Sequence, residues 1–323
     1  MNRLLLFILL FPCLLSAQDP YIDSLKMELK QAKHDTTRCN ILNLLTENAS
    51  EEEWPAFNEQ LLKLAEKSSL NTKPTLKLFY LRYMGMALNN AGYLATNKGD
   101  IPKALEYLHR SLRIQEEIKD KKGVASSLVN IGFIYDGQGD STKAIEYYQR
   151  SLIILEEIKD KEGIANCLNN IGNIYQKQEH IDKALEYFLK SLKAREEVGD
   201  RRGIANSMNN IGLIYYKKKD HTKALEYFHQ SLKISEDLSD KRGIALSTNM
   251  IATALQDFGK SKEAQEYGIR SLTTAKELGY PDNIRRAAMI LKKIYKSQNS
   301  FQKALEMYEL ERLMRDSIYN TES

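Results

Sequence analysis

The chain has 323 residues, 42% hydrophobic and 28% charged, with 47 Lys and Arg against 43 Asp and Glu. A net charge of +4, with both signs interspersed, leaves no basic stripe to track a phosphate backbone, so no nucleic acid partner is expected. Three cysteines make no disulfide framework, and the five histidines lack the spacing of a metal site.

The chain opens with Arg3, an almost unbroken apolar stretch over 4–15, and the small pair Ser16 and Ala17. Residues 1–17 read as a secretory signal peptide cleaved after Ala17, which places the mature chain in the periplasm. The stretch is shorter than the ~20 residues of a membrane-spanning helix, so no direct span is expected after cleavage. A lipoprotein alternative would use Cys13, but Phe11 and Pro12 precede it where small residues are wanted. Cys39 and Cys167 then remain, in non-adjacent repeats, beyond the ~7 Å between Cα atoms that a disulfide tolerates.

Residues 18–35 read as a capping helix and linker, and 36–69 as a degenerate helix pair. From 81 to 280 the chain repeats itself every 40 residues. Three copies are nearly identical, starting at Lys121, Lys161 and Arg201, and weaker ones open near Leu81 and at Lys241. A second degenerate pair covers 282–318, and 319–323 are a tail. A fixed period of this length means that each copy buries its apolar face only against its neighbours.

Each copy holds two amphipathic segments. In the copy starting at Arg201 the first is expected over 204–217, with Met208, Ile211 and Tyr215 at helical spacing. The second is expected over 222–238, with Ala224, Tyr227, Phe228, Ser231 and Leu232 on one face. Asp220, like Asp140, is placed to cap the second helix, and Gly203 to end the preceding helix with a positive φ. Gly132, Gly172 and Gly212 recur in mid-helix, where Gly costs about 0.5–1 kcal/mol against Ala. That recurrence predicts close approach of the second helix through Ala144, Ala184 and Ala224.

The run Ile171-Gly172-x-x-Tyr175 followed by Ala184-x-x-x-Phe188 resembles the tetratricopeptide repeat. Leu168 stands where that pattern often has Trp, its closing Pro is missing, and the period exceeds the usual 34 residues. The longer form is similar to the repeats of kinesin light chains and LGN-type adaptors. The resemblance spans 36–318 and implies an all-α, right-handed superhelical solenoid of about seven antiparallel helix pairs. The region 309–318 also resembles the close of exported repeat arrays that form the sensory halves of Bacteroidetes histidine kinases and transcription regulators.

Asparagine stands out on the first helices. Asn89, Asn169, Asn209 and Asn249 form one series in register, broken by Val129; Asn90, Asn130, Asn170 and Asn210 form another, one residue later. Adjacent helix positions point about 100° apart, which predicts two separate roles. The resemblance implies that the Asn169 slot faces the concave groove and the Asn170 slot the next repeat. Two roles stay open for the first series: amides that bond the backbone of an extended peptide, or amides that tie neighbouring helices together. Asn166, Asn173, Gln176 and Lys177 share the Asn169 face, and Asn206, Tyr216 and Lys217 hold the matching slots one repeat on.

Nothing points to chemistry. Acid pairs such as Glu116-Glu117 and Glu196-Glu197 recur in one slot of the repeats, which marks surface rather than a catalytic site. No catalytic residue, metal ligand or cofactor is expected. The expected function is a non-catalytic scaffold binding a protein or peptide ligand. The alternative is the sensory input module of a membrane-bound signalling system, with a transmembrane signalling partner.

Overall fold

The computed structural model describes residues 20–70 and 72–322, with side chains as far as 318. The signal peptide over 1–17, Cys13 included, lies outside the described residues. Among them every regular element is an α-helix. The chain divides into two compact units, one up to Ile134 and one from Tyr135.

The first unit holds α1 (Pro20–Gln31), α2 (Asp35–Asn48), α3 (Trp54–Leu70), α4 (Pro74–Asn97), α5 (Ile101–Glu117) and most of α6 (Lys121–Gly137). Its core joins Ile22, Leu25, Ile41 and Leu45 near the start to Cys39, Leu42, Leu61, Tyr80 and Ala87. Pro74 and Pro102 sit in the first turns of α4 and α5, where a missing N–H costs no intrahelical bond.

The second unit continues with α7 (Ser141–Glu157), α8 (Lys161–Lys177), α9 (Ile181–Val198), α10 (Arg201–Lys217) and α11 (His221–Asp237). It closes with α12 (Lys241–Asp257), α13 (Ser261–Leu278), α14 (Pro281–Ser297) and α15 (Phe301–Glu322). A new helix therefore opens every 20 residues. Neighbours run antiparallel: in α8 and α9, the Ala165 carbonyl meets Ser191 while Gly172, further along α8, lies under Phe188, earlier in α9.

The connections are one device used repeatedly. A residue with positive φ recurs every 20 residues from Gly99 to Asn299, and six of these are not glycine, among them Lys159, Glu179 and Lys219. Around Lys159 the Asp160 N–H donates to the Leu155 carbonyl at 2.9 Å, the long bond of a Schellman ending. Where the next residue is an aspartate, its carboxylate caps the following helix. Asp140 and Asp220 accept from the N–H of Lys143 and Lys223, as their positions predict.

Gly203 has another role than the one expected of it. The positive φ belongs to Gly199, and α10 begins at Arg201, with Asp200 as its cap. Gly203 N–H donates to Asp200 Oδ1 at 2.8 Å, and a Cβ there would fall within 2.0 Å of both Asp200 Oδ2 and Arg195 Nη1. The glycine leaves room for the cap and its arginine, whose side-chain ends would have to move aside for a Cβ.

The mid-helix glycines do mark close approach. A Cβ on Gly172 would lie 2.7 Å from the Phe188 ring, and one on Gly212 2.6 Å from the Phe228 ring and 3.3 Å from the Ala224 carbonyl. The ring of the second helix, more than its alanine, fills the notch. Phe188 and Phe228 are thereby among the largest fully buried side chains, a burial that stabilises by about 1.5–3 kcal/mol each.

Candidate functional site

Within the second unit the first helices of successive repeats are α8, α10, α12 and α14, and one geometric rule governs what their side chains meet. A residue on one first helix lies beside the residue 41 positions later on the next. Asn210 donates to Asn169 Oδ1 at 2.8 Å, Lys177 to Asp136 at 2.8 Å, and Gln256 to Ser297 Oγ at 3.1 Å. Tyr216 donates to Asp257 by the same rule. The first unit repeats it, with Asn130 donating to Asn89 at 3.1 Å.

Two pairs join the series, Asn89 with Asn130 and Asn169 with Asn210, which corrects the expectation that a 100° separation keeps the series apart. In these pairs the first series of one repeat reaches the second series of the next, because the helices stack with a one-residue offset. Asn209 departs furthest from a groove position. It is 2% exposed and its amide donates to Ser247 Oγ at 3.1 Å, so it ties α10 to α12. Asn89 and Asn169 also spend their carbonyl oxygens between repeats.

Other residues of the expected face keep their polar groups free. Asn173 and Gln176 are half-buried on α8, and Asn206 and Lys217 are exposed on α10. None of the four has a hydrogen-bond or ion-pair partner among the described residues. Asn166 accepts from Arg195 at 2.9 Å, and Lys177 is held by Asp136. Tyr216 and Lys293 converge on Asp257. Burial and the adjoining Asp257 carboxylate push the Tyr216 phenol up to about 12. Burial works against the Asp257 carboxylate, but the Lys293 and Tyr216 bonds outweigh it and hold the group below the usual carboxylate range. Asn249, half-buried on α12, is the last member of the first series.

A second ladder carries no obvious sequence signal. Ser191, Ser231 and Ser271 on the second helices donate to the carbonyls of Ala165, Ala205 and Ala245 at 2.8–3.0 Å, and Ser111 does the same to Gly85 at 2.7 Å. These serines are buried, so each hydroxyl must find a partner indoors, and an α-helical carbonyl with a spare lone pair supplies it. Their recurrence in one slot was the available clue, but it marks small core residues equally well.

The recurrent tyrosines are packing elements. Tyr135, Tyr175 and Tyr215 stack on Tyr147, Tyr187 and Tyr227 with ring centroids 5.4–5.6 Å apart. Lys143, Lys183 and Lys223 cover the outer ring faces at about 5 Å. Cys39 and Cys167 are free and buried, and burial lifts their thiols to about 12 and about 11, far from a reactive thiolate. Among the described residues no cluster of acids, histidines and cysteines has the make-up of a metal site, and no helix is long and apolar enough to cross a membrane.

The family model of the tetratricopeptide repeat matches four overlapping stretches, residues 83–157, 123–197, 163–237 and 203–277. No curated protein sequence matches. Among solved structures, a signal transduction ATPase with numerous domains and a tetratricopeptide repeat sensor, from Pyrococcus horikoshii, aligns with a TM-score of 0.67 at 15% identity. The alignment covers 93% of this chain and 51% of that one. A Rap protein complexed with competence and sporulation factor aligns at 0.61 and 12% identity, over 93% and 92% of the two chains. Aspartyl phosphate phosphatase F from Bacillus subtilis aligns at 0.60 and 15% identity, over 91% and 88%. At these identities the likeness is one of fold.

Proposed function

The chain belongs to the tetratricopeptide repeat family, and from that premise we propose that it is a non-catalytic scaffold holding a protein or peptide along its first helices. The observation that carries this is the row of unengaged polar side chains, Asn173 and Gln176 on α8 with Asn206 and Lys217 on α10. Half-buried and exposed polar groups with spare donors, interleaved with the half-buried Leu213, suit a peptide backbone with alternating side chains. A solved neighbour of this fold is complexed with another factor, which supports the reading. The test is a random-peptide display panned on the purified chain, with the Asn173→Ala, Asn206→Ala variant beside it. Selected peptides should lose about tenfold in affinity on the variant, as two hydrogen bonds of ~0.5–1.5 kcal/mol each imply. Equal affinity on both proteins would reject this face.

The leader over 1–17 supports export, and the scaffold is accordingly proposed to work in the periplasm. Expression in a Gram-negative host should yield a soluble periplasmic chain about 17 residues shorter. Recovery of intact Met1 in the cytoplasm would contradict it, and acylation dependent on Cys13 would assign it to the membrane surface instead. The alternative role, as an input module for a transmembrane transducer, is favoured by the Pyrococcus horikoshii neighbour, whose repeats are described as a sensor. Cross-linking of the exported chain to an inner-membrane signalling protein, lost on changing the same face, distinguishes that role from a free scaffold.

A further inference from the structure

The last helix, α15, carries an apolar row that the described residues leave largely open. Phe301, Leu305 and Tyr308 are 64%, 55% and 49% exposed. In the 40-residue register their slots on α9 hold Ile181, Leu185 and Phe188. There the row packs with Ile211 and Ile214 of α10, so between repeats this face receives a helix. On α15 the same face is presented without one.

Two slots argue against a further repeat as the occupant. The second helices from α5 to α13 carry Ser-Leu there, from Ser111-Leu112 to Ser271-Leu272, whereas α15 carries Glu311-Arg312. Glu311 is engaged with Lys292, whose ammonium also lies over the Tyr308 ring. Arg312 is exposed and has no ion-pair partner among the described residues. Its slot is the one from which Leu192 and Leu232 pack against the next repeat. A guanidinium pressed onto such an apolar helix would lose its water and gain no counter-charge.

We propose that α15 is the surface through which two copies of this chain pair, antiparallel and related by a two-fold axis. Phe301, Leu305, Tyr308 and Arg312 follow one another at intervals of four, three and four, the alternation of a two-helix seam. Laid antiparallel on itself, the row is self-complementary. With Leu305 level with Tyr308 of the second copy, Phe301 falls level with Arg312 of that copy. The Leu–Tyr layer is apolar. In the other layer the unpaired guanidinium lies over a phenyl face, which attracts its charge while the tip stays in water. The two-fold axis makes each layer occur twice. The pairing is independent of what the first helices hold, and a seam of four positions is small, so the dimer dissociates on dilution.

Sedimentation of the purified chain over a range of concentrations tests this, with Leu305→Asp, Arg312→Glu and Ile153→Asp beside it. Ile153 is as exposed as Phe301 but sits on α7, so it controls for general stickiness. All three side chains are exposed, so the variants keep the fold, which melting curves check. The parent and Ile153→Asp should show the same reversible monomer–dimer equilibrium. Leu305→Asp should weaken it by about a hundredfold or more and Arg312→Glu by about tenfold, because each change acts twice across the axis. Cross-linking reads the orientation. Phe301→Cys chains mixed with Arg312→Cys chains should form a disulfide-linked dimer on mild oxidation, and Phe301→Cys chains alone should not. The native Cys39 and Cys167 are buried and do not compete. A monomer at every concentration, association undiminished in Leu305→Asp, or Phe301→Cys linking to itself overturns the proposal.

Discussion

Asn210 on α10 donates its side-chain amide to Asn169 on α8 at 2.8 Å, so two asparagines 41 positions apart form one inter-repeat bond. Amides are poor residues for a helix interior, because they compete for backbone hydrogen bonds. In this pair, as in Asn89 and Asn130, stacking puts a partner opposite the amide. The repeat interface is thus polar at a defined point within an otherwise apolar seam, which aligns one helix against the next.

Removing either partner of that pair should destabilise the second unit. Asn169→Ala and Asn210→Ala are each expected to cost about 1 kcal/mol, and the double variant less than the sum of the two. A double-mutant cycle from urea unfolding measures the coupling. Strict additivity would show that the bond contributes nothing in solution.

Glycine substitutions should split by sign. Gly212→Ala drives a Cβ to 2.6 Å from the Phe228 ring, so overpacking of about 1–3 kcal/mol should exceed the helix-propensity gain. Phe228→Leu in the same chain should recover part of it. Gly137→Ala meets nothing within 4 Å and lies in a helix, so it should stabilise by about 0.4–1 kcal/mol. Melting temperatures moving in the same direction for both alanine variants would refute the close-packing account.

The helix endings offer a stabilising change. Lys159, Glu179 and Lys219 each adopt φ near 60°, a conformation that costs an L-residue roughly 1–2 kcal/mol and glycine almost nothing. Lys219→Gly should raise the melting temperature by about 2 °C, because the gain is partly offset by greater freedom of the unfolded chain. A lower melting temperature would mean that the lysine side chain contributes more than its strain.

The Tyr216–Asp257 pair predicts a pH dependence. The Tyr216 phenol is raised to about 12 in the folded chain from an ordinary value near 10. The unfolded chain therefore loses this proton first as pH rises. The pair's contribution is complete below about pH 10 and is lost on approaching pH 12. Asp257, held below its ordinary value, adds stability that is present above about pH 4 and disappears as the pH falls further. The difference in phenolate absorbance between the parent chain and Tyr216→Phe should titrate near 12, and lower in Asp257→Asn. A difference curve centred at 10 would mean that the pair does not form.

The repeat architecture was legible in the amino-acid order because its causes are local. Apolar spacing of 3.6 residues, a capping aspartate such as Asp220 and a notch glycine such as Gly212 each act within one or two helices. The family resemblance rested on those same positions. The role of Gly203 was not legible for a related reason: the room it leaves is taken up by Arg195, on the preceding helix, and by the turn that brings the two together. The fate of the asparagines was decided only in three dimensions. Whether Asn209 meets solvent or Ser247, and whether Asn249 finds an acceptor or Ile290, depends on a one-residue offset between stacked helices. No single helix encodes that offset, since it emerges from how one repeat packs upon the next.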